Sequence, residues 1–251
     1  RVASQPANET IFFNNTARNT TGTYIRSFAA TTFQVGSGAD NVNTATYYYV
    51  AFPTSAGAFA QGTYTGNATD NRNITGAGFV PNFVLTKNAT SATANDRRPY
   101  MNFSSSYGDN SSHVGTATAN AVNAIQALQT DGFQVGTDAS SNGNTATIYW
   151  FAFGGAEAVP TASGDFEMTT GSYTGTGASN PISGLGFRPD LVIIKAGTAQ
   201  LAVFRTSMMF GDSTAHTASA TANFTGGITS IDKDGFSGGT AAQTKPTGGS
   251  Y

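Results

Sequence analysis

Apolar positions in this chain come in short runs, and Gly, Asn, Thr and Pro separate them. The clearest runs are TYYYVAF ending at Phe52, GFVPNFVLTK at 78–87, TIYWFAF ending at Phe153 and GFRPDLVIIK at 186–195. In the second and fourth, Gly and Pro mark a turn, after which Val84 and Leu85, or Val192, Ile193 and Ile194, supply a strand that is to be buried. The runs at 47–52 and 148–153 are apolar on both alternating faces. Such strands are covered on both sides, inside a sandwich or against a partner. Asp131-Gly132 and Asp234-Gly235 are hairpin-turn dipeptides leading into a Phe, whereas Thr31-Thr32 stands at the corresponding place further upstream and requires a different turn. One stretch carries a helical pattern: Val122, Ile125 and Leu128 recur at three-residue spacing and predict a helix over 117–128.

These elements repeat. Phe33-Gln-Val-Gly36, Phe133-Gln-Val-Gly136 and Phe236-Ser-Gly-Gly239 are spaced by 133 − 33 = 100 and 236 − 133 = 103 residues, with an Ile eight residues before each Phe (Ile25, Ile125, Ile228). GTYTGN at 62–67 matches GSYTGT at 171–176, and the two GF-x-P blocks match each other. Matched blocks in a constant order indicate tandem modules of about 100 residues. The expected division is an N-terminal half repeat at 1–52, a complete module at 53–155 and a second module at 156–251 without its closing strand. Arg1 in place of Met marks a processed product or a fragment. A module short of a strand exposes unpaired backbone and an apolar groove, so the readings open here are strand addition from a neighbouring copy, an arbitrary cut from a longer array, and a half repeat that simply packs on the complete module.

Composition narrows the class. Leu occurs five times and Glu three times, against 38 Thr, 20 Asn and 30 Gly, so good helix formers are scarce and turn and strand residues abundant. With 18 Phe and 10 Tyr there is enough apolar surface for a core. The expected fold is all-β: tandem sandwich modules, jelly-roll-like, with an N-terminal half module. Charged residues are only 10% and the net charge is −2, which excludes the basic excess of a phosphate-coating nucleic-acid protein. The absence of Cys removes disulfides, thiol nucleophiles and Cys-ligated zinc, and no apolar run approaches a membrane span.

GFVPNFVLTK and GFRPDLVIIK, with the later DGFQVG and DGFSGG and the closing TIYWFAF, resemble tandem modules of bacteriophage tail and virion-appendage structural proteins. The resemblance covers most of 62–251 and the second half of the module in 1–52. It departs at Asn82, where the pattern has Asp, and in the first repeat, which lacks the Asp-Gly turn. It implies an all-β structural role, in a virion appendage or a cellular surface filament, with no active site to carry over.

The candidate chemistry is sparse. Asp109, Ser111 and His113, and Asp212, Ser213 and His216, bring together the residue types of a hydrolase, but without the strand–Ser–helix elbow or the convergence from distant segments that a triad uses. A polar turn is the preferred reading. Asp40, Asn41 and Asn43, and Asp138, Asn142 and Asn144, offer oxygen ligands for Ca²⁺ without an EF-hand spacing, and Asx-rich turns account for them better. Glu157 and Glu167 fall in the junction between modules and read as solvated charges rather than as a glycosidase pair. No catalytic residue, metal or cofactor is expected.

Nine Asn-x-Ser/Thr sequons occur, at Asn8, Asn14, Asn19, Asn67, Asn73, Asn88, Asn102, Asn110 and Asn223, candidate glycosylation sites on exposed loops of a secreted protein. The expectation is a non-enzymatic, extracellular or virion-associated subunit whose partners are copies of itself in a helical polymer. The assembly contacts are expected at Tyr47, Tyr48, Tyr49, Val50 and Phe52 and at an open edge near Phe236 and Tyr251. The alternative is a glycan-binding adhesin or receptor-binding fibre in which Tyr100, Tyr107 or Trp150 stacks on sugar faces.

Overall fold

The computed structural model describes residues 9–10, 20–21, 24–37, 41, 44, 47, 49–52, 56–91, 93, 99–103, 107–154, 167–218 and 221–245. The chain is all-β, with antiparallel ladders throughout. Two small hairpins come first: β1 (Glu9–Thr10) with β2 (Thr20–Thr21), and β3 (Ile25–Phe28) with β4 (Phe33–Val35).

The next stretch forms a two-layer sandwich from β5 (Phe59–Thr65), β6 (Arg72–Thr75), β7 (Pro81–Asn88), β8 (Tyr100–Asn102), β9 (Ser112–His113), β10 (Ile125–Gln129), β11 (Gly132–Val135) and β12 (Thr147–Gly154). One sheet runs β5-β12-β7-β8-β9 and the other β10-β11-β6. Between them lies a core of Ile74, Phe79, Val84, Tyr100, Ile125, Phe133, Val135, Trp150 and Ala152. Strand periodicity sends Phe83, Leu85, Met101 and Phe153 to the opposite face of the five-stranded sheet. There they pack with Val114, Phe59, Phe151 and two residues from the following module, Ala202 and Met168. This is why TIYWFAF is apolar at consecutive positions: both of its faces are covered.

The following module repeats the plan with fewer strands. β13 (Asn180–Ser183), β18 (Gly235–Gly238) and β17 (Ile228–Asp232) make one sheet, and β14 (Leu191–Ile194), β15 (Val203–Thr206) and β16 (Ala215–His216) make the other. Their core is Val192, Ile194, Ala196, Val203, Ile228 and Phe236. Among the described residues, bonds tie the modules together: Thr217 Oγ1 donates to the Val114 carbonyl at 2.6 Å, Asn120 N to the Gly197 carbonyl, and the buried Lys195 Nζ to the Thr118 carbonyl at 3.1 Å.

The two Asp-Gly turns do more than reverse the chain. Asp131 accepts from Gly78 N at 2.6 Å and Gly76 N at 3.2 Å, and Asp234 accepts from Gly186 N at 2.7 Å and Gly184 N at 3.0 Å. Each carboxylate clamps the Gly-x-Gly that opens the GF-x-P strand, so the two motifs recur together. The Thr31-Thr32 hairpin closes instead through Ala29 N to the Thr32 carbonyl.

The helix expected over 117–128 does not form. Asn123 has φ +61°, outside the helical region, and Ile125 begins β10. The one helix among the described residues, α1 (Ala139–Asn142), is a single turn capped by Asp138, whose carboxylate accepts from Ser140 N at 2.8 Å.

Candidate assembly surface

Strand β7 is central in its sheet, with β12 on one edge and β8 on the other. Its counterpart β14 pairs only with β15, and among the described residues no strand lies on its other edge. Leu85 is 5% exposed, whereas Ile193 at the corresponding position is 45% exposed. The same comparison holds for the outer face of the sheet. Phe83 and Met101 are buried beneath the following module, but their counterparts Leu191 and Phe204 are only half-buried. The turn after β15 adds Met208 and Phe210, the latter 83% exposed. Clustered apolar surface beside an open ladder is the usual mark of a docking surface.

The second half of the surface is the segment matching β12. Tyr47, Tyr49, Val50 and Phe52 are exposed, Tyr49 to 71%, and none of the described residues of 47–52 belongs to a strand. The segment nevertheless keeps one ring contact of its repeat and makes another with the next module. Tyr49 meets Phe33 edge-on at 4.9 Å and 67°, as Trp150 meets Phe133 at 5.6 Å and 70°. Phe52 lies 4.6 Å from Phe153 and 5.9 Å from Phe59, anchoring the segment on the module that follows it. Tyr48 and Tyr251 lie outside the described residues. Phe236 is not an edge residue: it is 8% exposed in β18, which is paired on both sides, so the open edge is at β14 instead.

The Gly-Asp-x-Ser/Thr-x-His element is a structural clasp. Ser111 Oγ accepts from Ile125 N at 2.9 Å and donates to the Ile125 carbonyl at 3.0 Å, and Thr214 Oγ1 does the same to Ile228 at 2.7 and 3.1 Å. Asp109 accepts from Asn123 N, and Asp212 from Gly226 N. The hydroxyl that repeats is therefore Thr214 rather than Ser213, and both hydroxyls are buried and engaged with backbone. His113 stacks on Tyr100 and His216 on Phe224, at 4.1 and 4.7 Å. Burial lowers the His216 pKa, favouring a neutral ring. The Ser111 and Thr214 hydroxyls thus spend their bonds on backbone groups of Ile125 and Ile228. Replacing Ser111 with Ala strands the buried Ile125 N–H, while the Ile125 carbonyl keeps its bond from Asn102, and is expected to cost about 1–3 kcal/mol by urea denaturation. The loops above the clasp are held by two side chains whose role is not legible in the sequence. Asn102 donates to the carbonyls of Gly108, Asn110 and Ile125, and Arg205 to those of Ser213, Met209 and Gly211.

The Asx cluster near α1 is likewise engaged internally. Asn142 Oδ1 accepts from Asn67 N and Arg72, its Nδ2 donates to Thr69 and Gly136 carbonyls, and Asp138 caps the helix. No group of three or more His, Cys, Asp or Glu suited to a metal occurs among the described residues. Of the upstream cluster only Asn41 is described, donating to the Gly36 carbonyl, and of the Glu pair only Glu167.

Lys195 is buried, and burial pulls its pKa down to about 8. Its ammonium donates to the carbonyls of Thr118, Ala196 and Thr198. Between pH 8 and 10.5 the unfolded chain holds this proton and the folded chain releases it, so this group makes stability rise with pH across that window. A Lys195→Met chain is expected to lose that rise in Tm measured against pH.

Four sequon asparagines, Asn67, Asn73, Asn110 and Asn223, are exposed. Two others are corrected: Asn88 and Asn102 are 0% exposed, and their Nδ2 groups already donate to backbone carbonyls, so neither can carry a glycan in the folded chain. Asn8, Asn14 and Asn19 lie outside the described residues. Tyr100 and Trp150 are buried in the core and cannot stack on sugars, and the Tyr107 hydroxyl is bonded to Ser112 at 2.6 Å.

No helix among the described residues is long and apolar enough to cross a membrane. Compared with protein-family models, curated proteins and solved structures, the chain has no match in any of the three.

Proposed function

We propose that this chain is a structural, non-enzymatic subunit of an extracellular or virion-associated filament that assembles head to tail by β-strand addition. The contrast between Leu85 and Ile193 carries the reading: the same repeat position is sealed in one module and open in the next. The module pair supplies the template for the contact, since Ala202 and Met168 already cover the outer face around Phe83 and Leu85. A neighbour that covered Leu191, Ile193 and Phe204 in the same way would extend the array by one subunit. Such a contact joins two different surfaces and repeats without closing, which yields a fibre. The resemblance of the repeated motifs to virion-appendage modules supports the same class. Exposed sequons at Asn67, Asn73, Asn110 and Asn223 and the low charge accord with an extracellular setting.

Negative-stain imaging with sedimentation tests it. The chain is expected to form fibres, and Ile193→Lys, which places a charge on an exposed position, is expected to leave dispersed, folded subunits. Fibres unchanged by Ile193→Lys, or the absence of assembly in the parent chain, would overturn the proposal.

A further inference from the structure

Resting on the filament reading, the geometry points to a specific donor and register: Tyr47–Phe52 of a second copy enters the second module as a strand between β14 and residues 168–173, with Tyr49 seated over Gly171.

The slot is defined by what fills it in the preceding module. There β12 lies between β5 and β7. Trp150 pairs with Gly62 on one side and with Thr86 on the other. The Gly is required because a Cβ there would lie 2.8 Å from the Trp150 ring. In the next module the matching Gly171, in the GSYTGT block, has nothing among the described residues within 4 Å of a Cβ position. The socket that holds an indole in one module is thus open in the other. Its surroundings repeat as well: Tyr64 lies 6.3 Å from Phe133, and Tyr173 lies 6.5 Å from Phe236.

The donor is identified by the same correspondence. TYYYVAF is the repeat of TIYWFAF, it places Tyr49 where β12 has Trp150, and its described residues are exposed and outside any ladder. Transferring the β12 registers gives Tyr49 opposite Gly171 and Ile194, Val50 opposite Ile193, Ala51 opposite Val192 and Phe52 opposite Leu191. Val50 and Ile193, both close to 45% exposed in the single chain, then cover each other. Tyr49 exchanges Phe33 for Phe236, the residue at the same repeat position. Phe52 stays on Phe59 and Phe153 of its own chain, so the donor strand ends where the next module begins, as β12 does.

The chain has no Cys, so single introduced cysteines report the contact without background. A Val50→Cys chain mixed with an Ile193→Cys chain under oxidation is expected to give the mixed disulfide in about tenfold excess over Ala51→Cys mixed with Ile193→Cys, because a one-residue slip turns the side chain to the other face. Gly171→Leu fills the socket with a side chain that meets nothing in the isolated subunit. It is expected to leave Tm unchanged while raising the concentration needed for assembly by about tenfold or more. Fibres that still form in Gly171→Leu at the parent concentration, or equal cross-linking in both registers, would overturn the donor assignment and leave the filament reading standing. Parent chains that never assemble would remove that reading itself. If the slot is filled from within the chain, neither mixture yields the mixed disulfide, and the assignment fails.

Discussion

Replacing Phe133 with Ala is expected to cost about 3–5 kcal/mol, the largest effect of any single truncation in this chain. Phe133 is fully buried between the two sheets of the first sandwich, with Trp150 edge-on at 5.6 Å and Tyr64 at 6.3 Å. Removing the ring deletes its own burial and leaves a cavity that cannot collapse freely, because Trp150 sits in β12, a strand fixed by ladders on both sides. The repeat provides internal controls. Phe236 holds the same position at 8% exposed, in a module whose facing sheet has three strands among the described residues against five in the first, and Phe33 is only half-buried. The expected order of destabilisation is therefore Phe133, then Phe236, then Phe33, measured by chemical denaturation of the three Ala variants.

Gly132→Ala is expected to cost about 3 kcal/mol, a fall in Tm of about 6–12 °C for a unit of this size. Gly132 has φ +138°, and a Cβ at this position would run into the Ile74 carbonyl oxygen of the neighbouring strand β6. That strand is held there by the hairpin ladder, Phe133 opposite Ile74, and by the Asp131 clamp on Gly76 and Gly78. The backbone cannot move aside without breaking the clamp. Calorimetry of Gly132→Ala beside Gly76→Ala separates the causes, since a Cβ on Gly76 meets nothing within 4 Å and only its φ of +101° is strained. A smaller loss at Gly76 than at Gly132 is the expected outcome.

Much of this fold was legible because strands announce themselves locally. Asp-Gly before Phe marked both hairpins, and the doubly apolar TIYWFAF marked a strand covered on both faces. The apparent helix over 117–128 misled because its three-residue spacing is produced by a bridge and a bulge instead. Ser111 pairs with Ala121, the Ser111 hydroxyl takes both backbone groups of Ile125, and the hairpin register shifts between Ile125 and Ala127. Sequence spacing cannot show that a hydroxyl fourteen residues away outcompetes a helical hydrogen bond. For the same reason Asn88 and Asn102 read as surface sequons although the fold uses their amides inside. Of the candidate assembly surface, the 47–52 segment was visible as a repeat of β12, but Phe236 was misplaced. Its burial depends on β13, whose Ile182 pairs with Phe236 from 236 − 182 = 54 residues upstream. Gly171 carried a usable signal: it repeats Gly62, and a glycine held in a strand beside an aromatic repeat marks a close approach.

The measurement that bears most directly on the account is amide hydrogen exchange of the peptide spanning Leu191–Lys195, compared between assembled and dispersed material. An edge strand that acquires a ladder partner gains protection at the amides facing it. The account predicts slow exchange at these alternate positions in fibres and fast exchange in single subunits, with β7 unchanged. Equal exchange at β14 in both states would contradict it.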